Sequence, residues 1–311
     1  MSFFSVIIPL FNKENYVENT LKSILNQTFT DYEVLIINDC STDASVTKVT
    51  PFLSEKIILI PHNKNKGLSA TRNTGIKNAK SDYIVFLDAD DLWKPSFLET
   101  IKSLINNFED ARIYATNYEE LYKDKTIKPL NGSENLFENF SGYVDFFKTN
   151  LKQGIYNHGS VCFQKSVFKK AGLYDESIDF SEDIDFNIRA NYYFKLAYSN
   201  SIQMSYLMQT ENQLTTSSIL KKRLPNFDKY EELAIDNPSL KKYLDFERYV
   251  LSKHAKMDGD INLSKKIRSS IDLKNLNWKQ NLLLKSPSVL LQIIYKTKLF
   301  LVRNGLKFTS Y

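Results

Sequence analysis

Apolar and polar positions alternate in blocks along the first third of the chain. Ser5–Leu10, Glu33–Asn38, Ile57–Ile60 and Tyr83–Leu87 are short, nearly continuous apolar runs rich in Val and Ile. Such runs fit strands buried on both faces. Between them Val17, Leu21, Ile24 and Leu25 recur at helical spacing, with Asn12 as the expected N-cap. Phe97, Ile101, Leu104 and Ile105 repeat the pattern after Pro95, a residue suited to a helix start. Strand–helix alternation predicts an α/β fold with a doubly wound, parallel central sheet flanked by helices.

Further along the pattern loosens. Ala111–Tyr118 and Leu121–Lys128 read as strands around a turn, and Asn157–Phe163 as another strand. Ser181 is placed to cap a helix running from Glu182 to about Tyr193. After about residue 215 the chain turns helical and basic, so two units are expected: a sheet domain over 1–215 and a helical extension over 216–311. No internal repeat and no low-complexity segment interrupts them.

Sheets of this kind bind ligands outside the carboxyl ends of their strands. The first strand ends in Pro9-Leu10-Phe11-Asn12, the second in Asn38-Asp39-Cys40-Ser41-Thr42-Asp43, the fourth in Asp88-Ala89-Asp90-Asp91. Polar clusters therefore fall where a ligand belongs. Three carboxylates within Asp88–Asp91 repel one another unless a cation or strong donors neutralise them. Oxygen-only ligands suit Mg²⁺ or Mn²⁺, and a solvated acidic turn before the next helix is the alternative. Asp39 can accept hydrogen bonds from a base or sugar, while Asp43 or Ser41 caps the following helix.

The stretch Asn63–Asn73 contains Gly67 and opens a helix, whose first N–H groups favour anions. Arg72 lies about one turn inside, within reach of a phosphate or a base carbonyl; an exposed basic helix face is the other reading. Glu182, Asp183 and Asp185 begin a late helix. One of them can serve as a general base toward a hydroxyl, although acids are favoured in the first turn of any helix. His158 either lines an acceptor pocket or is a structural histidine.

Composition narrows the classes. The chain has 311 residues, 42% apolar and 25% charged, an ordinary globular balance. Two cysteines, Cys40 and Cys162, and three histidines give neither a disulfide framework nor a zinc spacing, so a reducing, cytoplasmic setting is expected. The apolar run Phe3–Phe11 contains Pro9, has no basic residue before it and no cleavage pattern after it, and reads as a strand rather than a signal peptide. No apolar stretch reaches the ~18 residues of a spanning helix. There is no G-x-G-x-x-G after the first strand and no G-x-x-x-x-G-K-[ST], which argues against a dinucleotide cofactor and a P-loop NTPase.

In order along the chain, Ser5–Asn12, Asn38–Asp43, Asn65–Gly75, Phe86–Asp91 and Glu182-Asp183 resemble the motifs of the family-2 glycosyltransferases with the GT-A fold, of the bacterial surface-polysaccharide type. The resemblance runs from about Ser5 to about residue 215. It implies an inverting, metal-dependent sugar transfer from a nucleoside-diphosphate sugar, with uridine diphosphate as the expected carrier, to a glycan or lipid-linked acceptor. It implies that Pro9, Phe11, Asp39, Arg72, Asp88 and Ala89 line the nucleotide sugar. Asp88 and Asp90 would hold Mn²⁺ or Mg²⁺, Asp183 would be the catalytic base, and Glu182 would stand near the acceptor. Phe11 stands where Tyr is common, Cys40 where Gly is common, and Asn38 where Asp is frequent. No histidine stands near Thr210, where related enzymes often carry one. A sugar nucleotidyltransferase is a rival, but Phe11-Asn12-Lys13-Glu14 is no Gly-rich triphosphate loop; a non-catalytic binding protein is a second rival.

The net charge of +5 is uneven. After Asp272 come Lys274, Lys279, Lys285, Lys296, Lys298, Arg303 and Lys307 and no acid, which leaves the rest of the chain net negative. That argues against a nucleic-acid-binding body, which would carry a basic stripe on the main domain. Val289, Leu290, Ile293, Ile294, Phe300 and Leu301 recur close to one helical face. A basic amphipathic helix of this kind lies in an anionic membrane surface, here the cytoplasmic face of the inner membrane, or packs on the domain or on a second subunit.

Overall fold

A computed structural model describes residues 2–122, 125–129, 131–208, 210–211 and 218–303. The first half runs β1 (Phe4–Leu10), α1 (Val17–Leu25), β2 (Tyr32–Asn38), α2 (Ser45–Val49), β3 (Ile57–Pro61), α3 (Leu68–Asn78), β4 (Tyr83–Phe86), β5 (Leu92–Trp93) and α4 (Phe97–Asn107). Then follow β6 (Ala111–Tyr122), β7 (Lys125–Ile127), β8 (Ser141–Val144), α5 (Phe146–Thr149), β9 (Val161–Gln164), α6 (Lys165–Ala171), α7 (Glu182–Tyr193) and β10 (Lys195–Leu207). The helical end comprises α8 (Glu231–Ala234), α9 (Pro238–Met257), α10 (Ile261–Ser269), α11 (Trp278–Lys285) and α12 (Ser288–Arg303). The expected boundary near residue 215 falls outside the described residues.

The strands form one sheet in the order β3-β2-β1-β4-β9-β6-β10-β5, with β7 on β6 and β8 on β10. The pairings of β1 with β2 and β4, and of β2 with β3, are parallel, as the alternating pattern predicts. Beyond β4 the sheet is mixed. β9 runs antiparallel to both β4 and β6, whereas β6 and β10 pair in parallel. The uninterrupted parallel run is therefore confined to β3, β2, β1 and β4. Short strands without an intervening crossover helix are free to pair the other way.

Successive residues of β1 point to opposite faces, and both faces are covered. Ile7 joins a core with Leu35, Ile37, Ile76 and Phe86; Val6 and Ile8 join another with Leu21, Ile24, Phe97 and Ile101. That is why these strands read as continuous apolar runs. Tyr243, Leu244 and Tyr249 of α9 belong to the same core as Ile7, and the Tyr243 ring packs edge to face on Phe146 at 5.4 Å. The helical extension thus shares its interior with the sheet.

Besides α2, whose N-cap is Ala44 with no side-chain cap rather than Asp43 or Ser41, two expected caps differ. Asn12 is not the N-cap of α1, which is Tyr16; it takes a left-handed backbone (φ 51°), and its Oδ1 accepts from Thr42 N at 2.8 Å. Ser181 precedes α7 as expected but is also left-handed (φ 62°) and makes no capping bond with its side chain. In both places the geometry of the connecting loop outweighs local capping preference.

Gly75 of α3 lies against β1, where an added Cβ would stand 2.4 Å from Ile7 Cγ2. Gly75→Val is expected to lower stability by about 1–3 kcal/mol, as overpacking does, read as a shift of the urea midpoint.

Candidate functional site

The site is built from the carboxyl ends of β1, β2 and β4 and the N-terminus of α7. Three of the four non-glycine residues with positive φ among the described residues, Asn12, Cys40 and Ser181, lie in these connections. Cys40 (φ 64°) occupies a conformation that glycine adopts without strain, which gives a physical reason for the glycine common at that position. The loops after β1 and β2 are laced together. Asn12 N donates to Ser41 Oγ at 3.2 Å, Lys13 N to Ser45 Oγ at 2.8 Å and Glu14 N to Asp43 Oδ2 at 3.0 Å. Asp43 thus holds the neighbouring loop as well as Ser45 N at the start of α2.

Asp39 is buried and its carboxylate is engaged from within. Lys66 N and Gly67 N donate to its two oxygens at 2.8 Å each, and His62 Nδ1 lies 2.7 Å from Oδ1. His62 continues to Thr74 Oγ1 at 2.9 Å. Asp39 therefore fixes the loop that opens α3, with Gly67 (φ 86°) as its N-cap. Pro9 is buried at the end of β1, while Phe11 is 39% exposed at the rim.

Arg72, one turn into α3, is 2% exposed. Its Nη1 donates to Glu182 Oε1 at 2.7 Å and its Nη2 reaches Asp88 Oδ1 at 3.4 Å. Its guanidinium carbon lies 5.5 Å from the centre of the Tyr174 ring. One cation thus connects α3, the end of β4 and the start of α7, which sequence spacing does not reveal. Asp88 and Glu182 are pushed up by burial and pulled back by Arg72.

Asp90 meets two donors that the sequence did not single out. Lys13 Nζ lies 2.6 Å from Asp90 Oδ2, and Thr210 Oγ1 donates to the same oxygen at 2.5 Å. Lys13 Nζ also donates to Glu211 O at 2.7 Å, which ties the loop after β1 to the chain beyond β10. The hints were that Lys13 follows a strand end where ligands bind, and that related enzymes often carry a histidine near Thr210. Of the stretch Tyr206–Thr215, residue 209 and residues 212–215 lie outside the described residues. Asp91 is fully buried; its Oδ1 accepts from Leu207 N at 2.9 Å, and its Oδ2 meets no donor among the described residues. Burial pushes the Asp91 carboxyl well above the usual aspartate range, and the Asp90 and Asp88 charges add to it. Ala89 is buried, its carbonyl accepting from Thr20 Oγ1 at 3.0 Å.

Asp183 follows Glu182 directly and is half-buried. Burial raises its pKa, Arg72 opposes, and the Asp88 charge adds to the rise. Its field reaches Tyr156, Tyr174, and Tyr243 and Glu247 of α9. Burial pushes Glu247 up to about 8, and the charge of Asp183 adds to the rise. His158 is buried, its Nε2 2.7 Å from Tyr174 Oη, and burial holds its pKa well below the usual histidine range. The arrangement places a carboxyl of raised pKa, Asp183, beside carboxylates bridged by one cation.

The Glycosyl transferase family 2 model matches residues 5–172, more than half of the chain. The chain belongs to glycosyl transferase family 2. This glycosyltransferase is 39% identical over 116 residues to glycosyltransferase GlyA of Streptococcus pneumoniae, covering 37% of the chain but 16% of GlyA. An uncharacterized glycosyltransferase of Rickettsia typhi is 25% identical over 234 residues, covering 74% of the chain and 69% of that protein. TuaG of Bacillus subtilis, a putative teichuronic acid biosynthesis glycosyltransferase, is 36% identical over 97 residues, 30% of the chain and 38% of TuaG. Among solved structures, S. aureus TarS 1–349 in complex with UDP-GlcNAc superposes with a TM-score of 0.61 at 17% identity, covering 87% of the chain and 91% of TarS 1–349. That likeness gives the family 2 enzyme its GT-A type of fold.

Replacing Arg72 by Met strips Glu182 and Asp88 of their shared cation. The expected loss is about 3–5 kcal/mol of folding stability, as when one partner of a buried ion pair is removed, measured by urea unfolding at neutral pH.

Proposed function

We propose that this glycosyltransferase moves a sugar from a UDP-sugar to a hydroxyl of a glycan or lipid-linked acceptor in bacterial surface-polysaccharide synthesis, with inversion at the anomeric carbon. The observation that carries the reading is the coupling of Asp183 and Glu182 to Asp88, through the buried Arg72, beside Asp90. Carboxylates far apart in sequence meet at one rim of the sheet. The UDP-GlcNAc in the TarS structure and the teichuronic acid role in the name of TuaG support the donor and the pathway class.

In this mechanism Asp183 accepts the proton of the acceptor hydroxyl as its oxygen attacks the anomeric carbon. The raised pKa of Asp183 makes it a better base than an exposed aspartate, and such assistance contributes ~10²–10⁴-fold. Glu182, held by Arg72, orients the acceptor. Asp39 shapes the base pocket by fixing residues 62–67, and Pro9 and Phe11 supply its apolar wall. Asp88 and Asp90 are the residues for Mn²⁺ or Mg²⁺. Among the described residues no three His, Cys, Asp or Glu side chains converge as a metal cage. Two carboxylates completed by substrate phosphates are the usual habit of these ions, so the donor set fits. Bound there, the ion supplies Lewis-acid neutralisation of the leaving diphosphate. Lys13, already against Asp90, contributes a further positive charge on the diphosphate side.

Asp183→Asn is expected to lower kcat for transfer by ~10²–10⁴-fold while the thermal shift on UDP addition persists. Full activity in that variant would remove the base assignment. Asp90→Asn is expected to abolish the part of the UDP thermal shift that depends on Mn²⁺; an unchanged Mn²⁺ dependence would remove the metal assignment.

A further inference from the structure

The last two helices bury one apolar row and expose another. On α12, Leu291 and Val302 are buried, with Ile294 and Lys298 half-buried between them, and this row packs toward α9 and beside Tyr122 and Ile127. The apolar residues expected on a single face are thereby divided. Val289, Leu290 and Ile293 remain 64%, 44% and 55% exposed. On α11, Trp278 and Leu282, one turn apart, are 72% and 58% exposed while Leu284 is buried. The corner between the helices is pinned, because Lys256 Nζ of α9 donates to Leu284 O at 2.8 Å and to Ser286 O at 2.9 Å. A helix that only covers a core needs one apolar stripe; α12 carries two.

The polar residues beside the outer row decide what covers it. Lys279, Lys285 and Lys296 are exposed, and no acid follows Asp272 in the sequence. A second copy laid on this face would set like charges against each other, since a two-fold contact pairs the same patch with itself. An acid-rich lipid surface neutralises them instead. No helix among the described residues is long and apolar enough to cross a membrane, so the helices would lie in the interface plane. We propose that the outer face of α11 and α12 docks on an anionic lipid surface. Trp278, Leu282, Val289, Leu290 and Ile293 enter the headgroup boundary, and Lys279, Lys285 and Lys296 meet lipid phosphates. Tryptophan is suited to that depth, with an apolar ring and a polar N–H.

The test is flotation of the full chain with vesicles of phosphatidylcholine alone or mixed with phosphatidylglycerol, without any sugar donor, so it stands apart from the catalytic reading. The expected result is co-flotation with the anionic vesicles only, lost at high salt. Combined Lys279→Gln, Lys285→Gln and Lys296→Gln is expected to weaken partitioning roughly a hundredfold. Trp278→Ser with Ile293→Ser is expected to abolish it with an unchanged melting temperature, since both side chains point outward. Equal recovery with neutral and anionic vesicles overturns the proposal. So does a dimer in light scattering that the serine variant dissociates while flotation is absent from the start.

Discussion

The buried guanidinium of Arg72 is the interaction on which this molecule depends most. Glu182 and Asp88 come from different elements and would repel each other in the interior. An ammonium would hold one of them; a planar fork can face two. The same residue stacks over Tyr174 and restrains the rise in the pKa of Asp183. Folding and chemistry are therefore linked through one side chain. The same carboxylates that make the rim unstable in isolation are the groups assigned above to the proposed transfer.

A second constraint is the layering of the sheet. β1 is covered on both sides, by α3 and α9 on one and by α1 and α4 on the other. Its carboxyl end is therefore rigid. The loops that leave it are free to take uncommon conformations, as at Asn12 and Cys40, because their own hydrogen bonds fix them. α9 lends Tyr243 to this core and Glu247 to the surroundings of Asp183. The helical extension is thus part of the scaffold of the site.

The strands β1 to β4, the helix from Glu182 to Tyr193 and the acidic strand ends were legible in the sequence, because burial on both faces writes a continuous apolar run and a strand end writes a polar cluster. The antiparallel β9 was legible only as a strand, since pairing direction is set by the chain's route and not by local pattern. The partners of Arg72 and Asp90 were not legible. Glu182 pairs from 110 residues away and Thr210 from 120, and no local spacing encodes such distances. The tail misled in another way: its apolar residues were read as one face, whereas α12 divides them between the protein and solvent.

The separation between Arg72 and Glu182 also bears on synthesis. An emerging chain completes β1 to β4 and α3 well before the ribosome delivers the acid that neutralises Arg72. Domains form as their segments appear, yet until then, among the described residues, only Asp88, at 3.4 Å, stands against this buried cation. The shorter Arg72–Glu182 contact, 2.7 Å, can form only once α7 has emerged, so this rim completes its charge pairing late in synthesis.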